Sequence, residues 1–180
     1  MPTKKTLNFE SVNKLAKQMK LNPLALPQVV KTSISVGLGQ NKENKEIVKS
    51  IENEIALVTG QKPKFTRAKK SISGFKLREG QHIGFVVTLR GKRMWQFLEK
   101  LTSVVLPRVR DFDGINDKSI DKNGNLSFSL MEQVVFPEIK PDETKGIWGM
   151  TITLTLSKKA EKAFAIKYYS SIGLIFLRKV

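Results

Sequence analysis

From Gln28 to Leu38 the chain alternates, with Val30, Thr32, Ile34 and Val36 on one side of an extended backbone and Lys31, Ser33 and Ser35 on the other. A period of two predicts a half-buried strand, and Gly37-Leu38-Gly39 ends it. The same period recurs in Phe85, Val87 and Leu89 against Val86, Thr88 and Arg90, and in Leu126, Phe128 and Leu130 against Ser127 and Ser129. It returns in Met150, Ile152, Leu154 and Leu156 against Thr151, Thr153 and Thr155. Residues 62–70 and 83–90 read as two strands around a loop, Ser71 to His82, that carries Gly74 and Gly80. Elsewhere the period lengthens to that of a helix. Ile47, Ile51, Ile55 and Val58 predict a helix from Lys42 to Thr59, stopped by Gly60, which takes a left-handed backbone without strain. Met94, Phe97, Leu98, Leu101, Val104 and Val105 form one apolar stripe and predict a helix over 92–106. Shorter helices are expected at 9–20, before Pro23 and Pro27, and at 158–171; the stretch 111–124 is acidic and turn-rich.

Strands with one wet face favour an antiparallel sheet covered by helices on the other side. The expected fold is α+β in two layers: a mainly antiparallel sheet, helices packed on one face, and a polar, hydroxyl-rich face left open. With no repeat or linker, residues 1–180 are expected to form a single domain, Met1 to Thr6 being a mobile tail. The open face collects Ser33, Ser35, Thr88, Arg90, Ser127, Ser129, Thr151, Thr153 and Thr155. Short hydroxyls let a flat polymer approach closely and bond phosphate or ribose oxygens. Threonine also suits the exposed side of any strand, so the face alone identifies no ligand.

Charge narrows the choice. The 180 residues hold 32 Lys and Arg against 16 Asp and Glu, a formal net charge of +16. Most of the excess lies in one segment: residues 60–110 carry thirteen basic and two acidic groups, and residues 111–143 carry three and eight. In the first of these, Lys62, Lys64, Arg67, Lys69, Lys70, Lys76 and Arg78 are interleaved with Phe65, Ile72, Phe75 and Leu77, as in a folded region and not a basic tail. A polyanionic partner is expected.

Other chemistries fall away. With no cysteine and a single histidine, His82, thiolate and multi-histidine metal sites are excluded. No apolar run approaches the ~20 residues of a membrane span, and the start lacks the apolar stretch of a secretory signal, so a soluble intracellular protein without a membrane partner is expected. Gly37-Leu38-Gly39 lacks the rest of a phosphate-binding loop and reads as a strand-to-helix turn. Asp121, Asn123, Asn125, Ser127, Ser129 and Glu132 fall at the ligand positions of a calcium loop, but Leu126 stands where that loop needs glycine. No serine sits in a nucleophile elbow, and His82 has no evident carboxylate partner. No cofactor and no enzymatic activity are expected.

Five segments in register carry a resemblance. Val58-Thr59-Gly60-Gln61-Lys62-Pro63, then Arg67 through Gly80 with its Gly74-Phe75-Lys76-Leu77-Arg78 centre, then Val87-Thr88-Leu89-Arg90-Gly91, Leu106 through Phe112, and Phe136-Pro137-Glu138-Ile139 are similar to the large-subunit ribosomal protein five family. The order and spacing fit its bacterial and organellar branch from about residue 24 to 157. The resemblance implies a structural constituent of the large ribosomal subunit that binds 5S ribosomal RNA in the central protuberance. It further implies contacts with 23S-type ribosomal RNA, peptidyl-site transfer RNA and neighbouring ribosomal proteins, including those of the small-subunit head. The implied setting is a bacterial cytoplasmic ribosome, with an organellar one as the alternative.

Carried over by position, the resemblance assigns 5S contacts to Ser35, Gln61, Lys62, Arg67, Lys69, Lys70, Ser71, Phe75, Thr88, Arg90 and Thr153. Ser35 replaces the asparagine usual in the family, which shortens the side chain and loses an amide. The loop Gly74, Lys76, Leu77, Arg78, Gly80 and Gln81 resembles the one that reaches the transfer-RNA elbow. Asp111, Phe112, Asp113 and Gly114 resemble the part that bridges to the small subunit. Phe75 has two readings, a stacking surface or a buried anchor for its loop. The rival function is a generic basic RNA- or DNA-binding module without 5S preference.

Overall fold

A computed structural model describes residues 22, 26–39, 44–75 and 77–177. The helix expected at 9–20 and the tail Met1 to Thr6 lie outside these residues. The main elements are β1 (Val29–Gly37), α1 (Lys45–Thr59), β2 (Lys64–Arg67), β3 (His82–Leu89), α2 (Gly91–Lys100), β4 (Leu126–Leu130), β5 (Met150–Leu156) and α3 (Lys162–Ser171). The strands form an open antiparallel sheet in the order β2-β3-β1-β5-β4, and the fold is α+β. The described residues divide into two compact units: those of Ser33–Leu89 with Ser129–Ile152, and those before Ser33 with Arg90–Phe128 and those from Thr153 onward.

In the unit built from Ser33–Leu89 and Ser129–Ile152, alternation sorts the strands as expected. β1 buries Ile34 and Val36, and β3 buries Phe85, Val87 and Leu89, while Ser35 stays exposed and Thr88 half-exposed. β2 pairs antiparallel with β3, Lys64 opposite Val86 and Phe65 opposite Phe85. Phe65 therefore shares the apolar side, its ring centroid 4.6 Å from that of Phe85 and 4.3 Å from that of His82. Gly84 has no room for a side chain: a Cβ there would lie 2.5 Å from the Val36 carbonyl oxygen.

α1 buries Ile51, Ile55 and Val58 and packs on β3. It starts at Lys45, three residues later than its periodicity suggests, because Asn44 is extended and its Oδ1 accepts the Glu46 and Ile47 N–H groups. Segment 129–152 is tied on by buried polar groups. Trp148 Nε1 donates to Glu54 Oε2 and Ser50 Oγ to Glu54 Oε1, both at 2.8 Å, so each oxygen of this buried carboxylate is satisfied. Fully buried Gln133 donates from Nε2 to the Gly146 carbonyl at 2.6 Å and accepts the Trp148 N–H at 2.9 Å. The hydrogen-bonded Lys145 ammonium, 2.6 Å from Glu46, holds that exposed carboxyl below its ordinary range.

The other unit corrects three expectations. Val30 is 43% exposed while its neighbour Val29 is buried, the Val29 N–H donating to Tyr168 Oη at 3.1 Å. The helix expected over 92–106 changes form: α2 is followed by a π-helix, Leu101–Val105, and a last turn, Leu106–Arg108. The Leu106 N–H reaches five residues back to the Leu101 carbonyl, the Thr102 and Ser103 hydroxyls bond the Leu98 and Glu99 carbonyls, and Pro107 has no N–H to donate. The extra residue turns the stripe, so Leu101, Val105 and Leu106 are buried and Val104 is 37% exposed. α3 begins at Lys162 and not near 158, because the Ala160 N–H bonds the Asn123 carbonyl and Glu161 is extended.

The chain's two tyrosines are both buried in this unit, and Tyr169 Oη donates to the Gly124 carbonyl at 3.0 Å. Burial pushes the Tyr168 phenol up to about 12, against the smaller opposing effect of the Val29 N–H. Burial, and next the neighbouring Tyr168, push Tyr169 up as well. A phenol raised in the fold stabilises it fully below the unfolded value, about 10, and that stability is lost as pH rises through the folded value. Titration at 295 nm, which follows these two residues alone, is expected to show no tyrosinate near pH ~10 in the folded protein. The signal should instead rise with loss of circular dichroism at higher pH; a half-complete titration near ~10 with the fold intact would contradict their burial.

Candidate nucleic-acid interface

The end of α1 sets the first residue of the interface. Gly60, at φ 66° and ψ 18°, closes the helix with its N–H on the Ala56 carbonyl, and the chain turns at once towards β2. Half-buried Gln61 follows in that turn, its Nε2 3.5 Å from the Thr88 carbonyl, a long contact. The structure thus brings together Gln61 and Thr88, which the sequence places 27 residues apart.

Register adds Thr66, which the sequence reading missed, and gives Lys64, known there only as one charge of the basic segment, a place on the face. Lys64 lies opposite Val86 and Thr66 opposite Gly84, so both share the face of β3 that carries Thr88. A Cβ on Gly84 would lie 3.1 Å from Thr66 Oγ1, an independent mark of the same face. Pairing register was the only signal able to reveal them, and it is invisible in a four-residue strand. Ser35 is exposed on β1, and on the same unit's β4 and β5 the Ser129 and Thr151 hydroxyls bond each other at 3.0 Å.

The cations lie around this polar surface. Lys62, Arg67, Lys69 and Lys70 are all exposed, and Lys62 is 3.7 Å from Glu52 in an ion pair too solvated to hold it. Beyond Lys70 the expected loop is a small hairpin. Ile72 and Leu77 exchange both backbone hydrogen bonds at 3.0 Å around a 3₁₀ turn, Ser73–Phe75. Its base is fastened by the Gly80 N–H on the Ala68 carbonyl, the Ala68 N–H on the Gln81 carbonyl, the Glu79 N–H on Ser71 Oγ and the Arg78 N–H on Gln81 Oε1. Gly80 needs its left-handed φ of 81°, whereas Gly74 has no positive φ. Lys76 lies outside the described residues. At the tip Phe75 is 71% exposed and Ile72 46%, with Arg78 exposed beside the hairpin. This exposure favours the stacking-surface reading of Phe75 over the buried anchor.

Other expected residues fall in the second unit. Arg90 is exposed at the N-cap of α2, past the end of β3, and makes no side-chain capping bond. Thr153 is half-buried and bonded to Ser127 at 3.0 Å. Asp111 and Asp113 are exposed and Phe112 half-buried, in a tight turn where Asp111 has φ 53° and Gly114 φ 126°. A side chain at Gly114 would strike the Phe176 and Leu177 backbone at 2.8 Å. The calcium-loop pattern resolves into an ordinary turn. Asp121 Oδ1 accepts the Asn123 and Asn125 N–H groups and Oδ2 the Asn125 amide, all at 2.8 Å. Slight burial raises this carboxyl, but these bonds outweigh it and leave the group below its ordinary value. Among the described residues no three His, Asp or Glu side chains gather as metal ligands, and no helix is long and apolar enough to cross a membrane.

A side chain as exposed as Phe75 contributes little to the fold. Phe75→Ala is expected to change unfolding free energy by under ~0.5 kcal/mol, where a buried Phe would cost ~3–5 kcal/mol. Urea denaturation of the two proteins decides between these values, and a loss in the larger range would make Phe75 an anchor.

Comparison with known proteins gives concordant matches over both units. Residues 22–78 match the family described as Ribosomal protein L5, and residues 82–176 match the model of that ribosomal family's C-terminus. The chain is 44% identical to the large ribosomal subunit protein uL5 of Pseudothermotoga lettingae over 179 residues, 99% of this chain and 97% of that protein. It is 46% identical to uL5 of Thermotoga maritima with the same coverage, and 43% identical to uL5 of Thermosipho melanesiensis over 180 residues, 99% and 98% of the two chains.

Proposed function

The chain belongs to the ribosomal protein L5 family, and from that premise we propose that its open polar face binds 5S ribosomal RNA in the central protuberance of the large subunit. It is a structural, non-enzymatic constituent of the large ribosomal subunit. The observation that carries the finer reading is the approach of the Gln61 amide to the Thr88 carbonyl, beside the half-exposed polar face of β3 and four exposed cations, Lys62, Arg67, Lys69 and Lys70. Cations supply affinity by releasing counterions from the phosphate backbone, and they do so for any RNA. The short hydroxyls of Ser35, Thr66 and Thr88 and the Gln61 amide supply the geometry that one folded RNA satisfies and another does not.

The hairpin is a separate device. A rigid base, an exposed Phe75 and an exposed Arg78 suit contact with the elbow of peptidyl-site transfer RNA, the ring meeting a base or ribose and the guanidinium a phosphate. Arg90 and Thr153 are assigned to 5S RNA, and the Asp111–Gly114 turn to the small-subunit head. Further partners in this reading are 23S-type RNA and neighbouring ribosomal proteins. The relatives are bacterial, and the setting assigned here is the cytoplasmic ribosome of a bacterium.

Binding to 5S RNA and to an unrelated folded RNA of equal length, across a salt series, tests the first part. At ~0.2 M salt the wild type should keep its 5S preference, and Gln61→Ala/Thr88→Ala should lose about tenfold in 5S affinity with an unchanged salt slope. Parallel loss of both RNAs along one salt line would leave only a generic basic binder. For the hairpin, Phe75→Ala/Arg78→Ala should weaken peptidyl-site transfer-RNA binding to reconstituted ribosomes while changing 5S affinity less than about twofold. A 5S loss above about tenfold would erase the division between hairpin and sheet.

A further inference from the structure

The direction in which Gln61 leaves the chain is set two residues earlier. Thr59 is 6% exposed; its hydroxyl donates to the Ile55 carbonyl at 2.7 Å and its Oγ1 accepts the Gln61 backbone N–H at 3.3 Å. Gly60, between them, takes the left-handed conformation that folds the chain back over its own helix end. The contact of the Gln61 side-chain amide with the Thr88 backbone carbonyl, at 3.5 Å, is too long to aim it. Its orientation therefore depends on the backbone, and the backbone is tied by the Thr59 hydroxyl. Valine would fill the same space, so packing alone does not call for the hydroxyl.

We infer that Thr59 is a positioning residue for RNA recognition: its buried hydroxyl locks the turn that points the Gln61 amide across the open face beside Thr88. This rests on Gln61 being an RNA-facing residue. The hydroxyl contacts no ligand itself and acts through Gln61 alone, which makes the two residues non-additive. A merely structural threonine would weaken binding equally whether or not Gln61 kept its amide.

Four variants test it: Thr59→Val, Thr59→Ser, Gln61→Ala and the Thr59→Val/Gln61→Ala pair, with 5S RNA and an unrelated folded RNA as probes. At ~0.2 M salt Thr59→Val should lose about fivefold in 5S affinity, and Thr59→Ser, which keeps the hydroxyl, should restore it. On the Gln61→Ala background Thr59→Val should change nothing further. In the RNA-free protein, amide hydrogen exchange at Gln61 should accelerate in Thr59→Val and not in Thr59→Ser, with exchange in β3 unchanged. Unaltered exchange at Gln61, or an equal loss of affinity on both backgrounds, would overturn the positioning role. If exchange responds but the wild type holds both RNAs equally, the lock stands as a feature of the turn, while the 5S reading and the recognition role built on it both fail.

Discussion

The period of two along a β-strand is the constraint on which the rest of this protein depends. β4, β5, most of β3 and β1 beyond Val30 send alternate side chains into the core and their neighbours to the polar face, so moving such a strand by one residue would exchange the two sets. In β5 that slip would expose Ile152 and Leu154 and bury Thr151 and Thr153, and no loop change elsewhere could compensate. Paired hydroxyls mark the register: Ser129 with Thr151 in one unit and Ser127 with Thr153 in the other, each at 3.0 Å. Gly84 fixes it again within the first unit, because any other residue there would strike the carbonyl of Val36. The surface proposed for RNA is thus the complement of the hydrophobic core, set by the same register.

That origin explains why the face is mostly small hydroxyls, with Lys64 on its edge strand and further charge around it. A lysine in the middle of a sheet face would supply attraction without direction, since an ammonium tolerates many positions of a phosphate. Hydroxyls on a rigid strand give direction without much attraction. Mutually bonded pairs such as Ser129 and Thr151 also lose little when water is removed, having satisfied part of their need internally. Lys62, Arg67, Lys69 and Lys70 lie instead at the turn before β2 and at its far end, where long side chains can follow a phosphate backbone. In the proposed reading, affinity and discrimination therefore fall to different residues, with different responses to salt.

What the sequence revealed follows from the range of each interaction. The alternation of β3, β4 and β5 and the stripe of α1 are local patterns and were legible almost to the residue. The stop at Gly60 was legible because left-handed backbone singles out glycine. The π-helix after α2 was not, since its cause is a coincidence of Thr102, Ser103 and Pro107 that leaves the apolar spacing looking like an ordinary helix. Val30 misled because periodicity cannot see that Tyr168, 139 positions beyond Val29, draws the Val29 backbone inward. The polar tie of Glu54, Trp148 and Gln133 was hidden for the same reason: a buried glutamate on an amphipathic helix reads as a surface residue until its indole partner is in place. Of the candidate site, the resemblance supplied the residue names, and only the fold showed that Gln61 and Thr88 meet and that Lys64 and Thr66 share their face.

The hairpin shows why exposure of an apolar ring can be functional when the chain around it is stiff. Phe75 projects from a turn held by the paired bonds of Ile72 and Leu77 and by four further bonds at the base, two of them made by side chains, Ser71 and Gln81. A mobile loop would fold such a ring back against the protein, or lose ordering entropy each time it met a partner. A fastened hairpin has already met that cost in folding, so in the proposed reading the ring and the neighbouring guanidinium of Arg78 are presented to a nucleic acid together. Gly74 has no left-handed angle to absorb, whereas Gly80 at the base does, and it is Gly80 that lets the chain return to the Ala68 carbonyl. Among the described residues of the hairpin, the left-handed backbone angle lies at the base, where it closes the turn and not where contact is proposed.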